Sequence, residues 1–550
     1  MLVHISVTDP SLLEHQERIA SELRAEGADV DLAVVDRDEV GAGAVGRVRH
    51  ADALICLVGQ IASLCGDGTH QGERDVDAAR SIGIPIHAYE TATTTPVRSS
   101  DHYGAYGAAR LQRLRTELGH TDSLTTVSDA DALVRCALGD VATTRAKLQQ
   151  LAPDAVRSLH RRLRTHPDAR YDAFAISMHN MDHIYSVDAI VPNVEMPAKF
   201  RGREPGGAGA NTIVGLSRLG LATSVAGAIA DDPDGVDILR ALEREEVATE
   251  LLVTVRDDGM GTGRAVLLRD RQGQFSSFVD GGVNSRLAAE IERAGLREAI
   301  VDTARRSRIV HYSPFSSPSE RNLQELLLSE LSSETLVTYK PGTMHASLGA
   351  ERLAAVLGRC DVLFVSEQEI DQMLERLPGF TADMGLVDKL ERLFTWRSSR
   401  GYADPLLVVV MLSFEDIDQR EPLFLYWGAE HYEGGIGSEW PAGQATEPLM
   451  DAGGARDATA AGVLFGLLCS RGPADCANLA YVLAMSVAVE YGCRRGLPRP
   501  TGVRERWRRW LQVDEPPRWL DPYGSDPDRV SYQYGRPTGT AFADRPHIGP

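Results

Sequence analysis

The pattern of apolar and polar positions starts with a strand period and returns to it several times. Residues 2–7 (LVHISV) form a short apolar run, and Thr8-Asp9-Pro10-Ser11 has the composition of a helix start. Apolar positions then recur at helical spacing over residues 12–26, closed by Gly27. Further strands are expected at residues 30–35, 53–59 and 84–89, with a helix opening at Gly68–Glu73. Strands and helices alternating at these lengths imply a small parallel sheet covered on both faces. A loop rich in Thr, Ser and Gly follows at 91–106, then helices at 108–118, 129–138, 141–151 and 155–163. The last carries Arg157, Arg161, Arg162 and Arg164, a charge run that reads as a solvated face.

From Tyr171 the pattern begins again on a larger scale. Strands are expected at 173–177, 223–229, 309–311, 336–339, 362–365, 406–412 and 423–426, and a hairpin at 261–268 turning at Gln272-Gly273-Gln274. Helices are expected at 212–220, 458–469 and 474–491. The fold class is therefore α/β. A small flavodoxin-like parallel-sheet domain with a helical extension occupies 1–150, a helical linker 151–170, and a second α/β domain with a small β lid 171–500. Residues 501–550 form a tail or arm. Its start, Arg504 to Trp510, reads as a short helix packed through two tryptophans, while 521–550 lacks apolar periodicity. That segment is either disordered or an arm lying on a neighbouring subunit, and Tyr532 and Tyr534 favour the arm.

Composition narrows the partners. At 550 residues, two or three domains are expected, and 43% apolar with 25% charged residues is a globular composition. A net charge of -20 argues against a nucleic-acid backbone or an anionic membrane as the main partner. Seven scattered cysteines without a CxxC pair read as reduced thiols of a cytoplasmic protein. No signal peptide is evident after Met1, and the longest apolar runs, near Val463 and Leu479, are too short to span a bilayer.

Candidate chemistry is concentrated at Met450–Gly462 (MDAGGARDATAAG), where small residues lead into a carboxylate and an apolar helix. Backbone N–H groups at such a helix start favour an anion, so Gly454, Ala455 and Arg456 are the candidate anion hole. Asp457 beside them could take a proton from an attacking hydroxyl, which is the pair of features phosphoryl transfer needs. The plainer alternative is a glycine-rich loop before a core helix. An earlier stretch, Gly206-Gly207-Ala208-Gly209-Ala210-Asn211, leads into a second short helix. Together the two stretches resemble the paired signatures of the PfkB (ribokinase-like) sugar and nucleoside kinases. Phe174–Ser177 with Asp182, Ser224–Asp232 with Gly235, Gly281–Asn284, and Val365–Glu369 are similar to supporting segments of that family, so the resemblance spans about 172–500.

The resemblance implies ATP and Mg²⁺ as cofactors, a sugar or nucleoside as acceptor, and a homo-oligomer formed through lid sheets. It implies that Asp182, Gly206, Gly207 and Asn211 bind the acceptor, that Asp457 is the catalytic base, and that Glu369 organises the metal indirectly. For Asp182 and Asn211 the alternative is a helix or turn cap. Residues 1–90 resemble the nucleoside 2-deoxyribosyltransferases and related TIR-like domains. There Glu73 matches a carboxylate acting at an anomeric carbon, the alternative being a residue that complements a helix N-terminus.

Four positions depart from the kinase pattern, all on the phosphate side. Arg456 stands for the glycine before the base, Ser366 for Asn, Ser413 for a "TxG" turn, and Lys340 for a common Asp. Two functions follow. One is a kinase transferring the γ-phosphoryl of ATP to a hydroxymethyl group, fused to a ribosyl-bond-processing domain. The other is a degenerate kinase-fold sensor or scaffold for an N-terminal glycosidase or transferase activity through Glu73, with a defence response as one setting.

Overall fold

The computed structural model describes residues 2–7, 13–25, 29–32, 53–57, 86–91, 124–151, 154–166, 169–191, 193–256, 259–270, 275–315, 317–402, 405–411, 424–428, 432–437 and 453–511, with residues 76, 114 and 118. Five strands form the N-terminal sheet: β1 (Leu2–Val7), β2 (Asp29–Leu32), β3 (Ala53–Leu57), β4 (Ile86–Thr91) and β5 (Leu124–Val127). They are parallel throughout, in the order β2-β1-β3-β4-β5. This is the flavodoxin-like winding, whose ligand crevice lies between the first and third strands. The expected strand positions agree to within a few residues. No strand is expected at β5, because LTTV is short and mostly solvent-facing and shows no apolar period.

The helices expected at 129–138 and 141–151 are one helix, Ala130–Leu151. Gly139 faces open space, so the helix crosses it for about 1 kcal/mol of lost propensity. The next helix, Asp154–Thr165, is not simply a solvated basic face. Val156, Leu159 and Leu163 are buried in the core of the larger unit. Arg162 grips the Asp361 carboxylate with both terminal nitrogens (the second at 3.1 Å) and also reaches Thr335 O. The alternation of arginines with apolar positions puts some charges outside and turns this one inward.

The large sheet combines β6 (Tyr171–Ile176), β9 (Thr223–Ala230), β10 (Ala248–Val255), β13 (Ser307–Tyr312), β14 (Leu336–Tyr339), β15 (Val362–Val365), β16 (Leu406–Val410), β17 (Phe424–Gly428) and β18 (Tyr432–Gly437). Its order is β10-β9-β6-β13-β14-β15-β16-β17-β18, parallel as far as β16 and antiparallel at the last two pairings. All eight residues of β9 and all five of β16 are buried, as both-sided helix cover requires. One face carries the Ala208–Arg218, Ala455–Leu468 and Pro473–Ala488 helices. The other carries Pro318–Glu330, Glu367–Leu374 and Leu386–Ser398. Trp507 and Trp510 of the Pro500–Leu511 helix are buried on the first face, as their spacing implies.

A second sheet of four strands, β12-β11-β7-β8, forms the lid. It comprises β7 (Asn180–Ser186), β8 (Lys199–Gly206), β11 (Gly263–Arg269) and β12 (Phe275–Asp280). The β11–β12 hairpin follows the expected one, while its turn at 271–274 lies outside the described residues. Polar side chains anchor the lid to the body. Asp232 accepts from Gly235 N (2.7 Å), Thr262 N (2.9 Å) and Thr262 Oγ1 (2.7 Å), capping one helix and holding the approach to β11. Asn284 bonds His179 N and O at 2.9 and 3.0 Å and Asn180 Oδ1 at 3.1 Å, fixing the entry to β7. These account physically for two segments that the sequence marks only as signatures.

Candidate active site

The site lies at the carboxyl ends of β6, β13 and β14, beneath the root of the lid. β6 ends at Ile176, and after a short turn β7 carries Asp182 into the lid sheet, paired with Glu204 of β8 across the ladder. Asp182 is therefore neither a helix cap nor a turn cap. It is buried, and Gly206 gives it room, since a Cβ there would collide with its carboxylate. Gly207 has φ +102°, a conformation that favours glycine, and turns the chain from β8 into the Ala208–Arg218 helix.

Asn211 lies in the first turns of that helix and bonds across to the Ala455–Leu468 helix. Its Nδ2 donates to Asp457 Oδ2 at 2.9 Å, and its Oδ1 accepts from Arg494 Nε at 2.7 Å. Arg494 also donates through Nη2 to Gly206 O at 3.2 Å, while its Nη1 has no partner among the described residues. The adjacent Cys493 donates its N–H to Glu204 Oε1 and holds its thiol 3.6 Å from Asp182 Oδ2. The end of the site under the lid thus consists of two carboxyl groups, an amide and a buried guanidinium.

Burial, and then the Glu204 charge beside it, push the Asp182 carboxyl up to about 7, with Arg494 opposing. Burial pushes His179 and His311 down to about 3, so both are neutral rings near pH 7. His311 shares Nδ1 with Thr338 Oγ1 at 2.8 Å and feels the Lys340 charge, which lowers it further.

At the other end, Gly454 is the N-cap of the Ala455–Leu468 helix, and being glycine it has no side chain with which to cap it. Backbone N–H groups at a helix start favour an anion. Asp457 is buried one turn in, and its Oδ1 is held by the Lys340 ammonium. Arg456 points to Glu369, with Nη1 3.6 Å from Oε1. Glu369 is itself half of a capping box: Oε2 accepts from Ser366 N at 2.8 Å, and Ser366 Oγ accepts from Glu369 N at 3.3 Å. Serine in place of asparagine therefore serves as a helix cap here. Glu369 Oε2 is thus held in the cap, while Oε1 faces the Arg456 guanidinium. No group of three metal-ligating side chains occurs among the described residues.

The structure brings Asp457, Asn211, Asp182, Gly206, Gly207, Gly454 and Ala455 to one place. Glu73 and Ser413 lie outside the described residues. Sequence reasoning passes over Glu204, Cys493 and Arg494. Glu204 stands two positions before the glycine pair, and its strand parity with Gly206 was an available signal. Cys493 and Arg494 had none, because only tertiary folding carries residues 492–496 back to the hinge.

Comparison with known proteins follows the geometry. Residues 172–388 match the family described as pfkB family carbohydrate kinase. This stretch is a pfkB-family kinase domain. An uncharacterized sugar kinase of Archaeoglobus fulgidus is 27% identical over 289 residues, 52% of this chain and 99% of that protein. A nucleoside kinase of Methanothermobacter thermautotrophicus is 26% identical over 207 residues, 38% of this chain and 63% of that protein. Among solved structures, ribokinase from Giardia lamblia superposes with a TM-score of 0.50 at 16% identity, covering 61% of this chain and 99% of its own. The larger unit has the ribokinase fold. No helix among the described residues is long and apolar enough to cross a membrane.

Proposed function

We propose that the pfkB-family domain transfers the γ-phosphoryl group of ATP to a hydroxymethyl group of a sugar or nucleoside. The observation that carries this reading is the convergence of Asp457 and Asn211, bonded at 2.9 Å, with the Asp182 carboxyl beside the N-terminus of the Ala455–Leu468 helix. Asp182, Glu204 and the Asn211 amide would hold acceptor hydroxyls, whose paired donor and acceptor character suits such groups. Asp457 would accept the proton of the attacking hydroxyl, and the N–H groups after Gly454 would meet the charge of the transferred group. Mg²⁺ bound with the nucleotide would supply charge neutralisation. Glu369, held by its cap beside Arg456, would act on that ion only indirectly.

Purified protein incubated with Mg²⁺-ATP and a panel of ribose, fructose and nucleosides, with products read by mass spectrometry, tests the reading. A phosphorylated product that disappears in Asp457→Asn is the expected result. Its absence with every acceptor would sink the kinase.

One observation favours the second reading, a sensor or scaffold. The Lys340 ammonium is paired with Asp457, the candidate base. On that reading the ribosyl chemistry belongs to the N-terminal domain, whose parallel 2-1-3-4-5 sheet suits a ligand at the crevice beside β1 and β3. Free base released only when Glu73 is intact, without phosphorylated product, would favour it.

A further inference from the structure

Lys340 follows β14 directly, at the carboxyl end of the sheet, and its N–H donates to Tyr312 O at 2.9 Å. Its side chain is only 10% exposed, and its ammonium reaches Asp457 Oδ1. Burying an ammonium this far is unfavourable unless a counter-charge meets it. Asp457 supplies the counter-charge and has its other oxygen on Asn211. The groups facing Asp457 are thus Lys340 and Asn211, with Arg494 behind Asn211 and the Asp182 charge nearby, while Arg456 turns to Glu369.

In this arrangement the ammonium holds one oxygen of Asp457 and Asn211 the other, so an incoming hydroxyl must compete for the carboxylate. The competition ends when the ammonium has a second anion to meet. The start of the Ala455–Leu468 helix lies one turn from Asp457, and a helix N-terminus favours an anion. Lysine carries its charge on a flexible four-carbon stem and can follow that anion, where a planar guanidinium would be fixed in orientation.

We propose that Lys340 is a catalytic cation that exchanges partners, moving from Asp457, which it meets in this structure, to the transferring phosphoryl group during reaction. The proposal rests on the kinase reading above. In the step, the acceptor oxygen bonds to the γ-phosphorus and its proton passes to the Asp457 carboxylate. The bond from the γ-phosphorus to the bridging oxygen breaks, and the nucleoside diphosphate leaves with that electron pair. Departure of Lys340 toward the phosphoryl group frees Asp457 Oδ1 for the arriving hydroxyl. Binding of the donor thereby exposes the base.

The test uses full-length protein and the acceptor that wild type phosphorylates, comparing Lys340→Met, Lys340→Gln and Lys340→Arg. Each folded variant, checked by circular dichroism, is also titrated with a non-hydrolysable ATP analogue. Lys340→Met and Lys340→Gln are expected to lose about 10²–10³-fold in kcat, as loss of a charge-stabilising donor does, with acceptor KM within a few-fold. They should bind the analogue about tenfold more weakly, and Lys340→Arg should recover part of both losses. If the neutral variants keep or raise kcat, or bind the analogue as tightly as wild type, Lys340 only restrains the base and the proposal falls while the kinase stands. A wild type that phosphorylates nothing overturns both.

Discussion

At the scale of single residues, the buried carboxyl of Asp182 makes the sharpest expectation. Its pKa in the folded protein lies near 7 against an ordinary 3.8, raised by burial and by Glu204. The folded state therefore holds a proton that the unfolded state has released between these values, so stability falls as pH rises through that window. The penalty is complete above about pH 7. Asp182→Asn should flatten the fall and raise stability at pH 8 by about 1–3 kcal/mol, read by thermal unfolding from pH 5 to 9, while weakening acceptor affinity. Should the variant keep the wild-type slope, the proton sits on another group. Gly207 sets a backbone limit instead. With φ +102°, Gly207→Ala should lower stability by about 1–3 kcal/mol in urea titration, with no change expected for a residue in ordinary conformation.

Among elements, the Asp154–Thr165 helix, which follows the N-terminal unit in the chain, is built into the larger unit. Its apolar stripe enters the core, and Asp361 receives Arg162, Arg359 and the N–H of Val337. Removing the carboxylate leaves two guanidinium groups and a backbone N–H short of a partner. Asp361→Ala should destabilise the protein by about 3–5 kcal/mol and open this helix to limited proteolysis. An unchanged digestion pattern would mean that the apolar stripe alone holds the helix. The Glu367–Leu374 helix offers a milder case. Ser366→Ala breaks a capping box and should remove about 1 kcal/mol, measured by denaturant unfolding.

For the whole molecule, the lid sheet presents an apolar outer face. Phe200 is 53% and Phe278 61% exposed, and Val266, paired with Phe278 across the ladder, is exposed beside it. Large exposed aromatic side chains on one sheet are characteristic of association surfaces. We expect sedimentation equilibrium to show a homo-oligomer that the Phe200→Asp, Phe278→Asp double variant dissociates. Wild type sedimenting as a monomer would exclude this surface as the contact.

Much of the architecture was legible in the chain, and for a physical reason. Parallel strands buried on both faces must be continuous apolar runs, and β14, β15 and β16 start where those runs start. Asn211 and Asp457 were legible because glycine-rich turns at helix starts are local features. The sequence cannot disclose what long-range folding assembles. β5 and the two lid strands β7 and β8 carry no clear period, since they are short or half exposed. Cys493 and Arg494 reach Asp182 and Asn211 across more than 280 residues. Two departures that look like losses on paper, Arg456 and Lys340, are each matched to a carboxylate, Glu369 and Asp457. The chain by itself determined the elements and the two glycine-rich turns, because these follow from local periods and backbone freedom. Only the tertiary structure decided which charges meet, because a charge pair depends on distance and burial, and neither is written in local sequence.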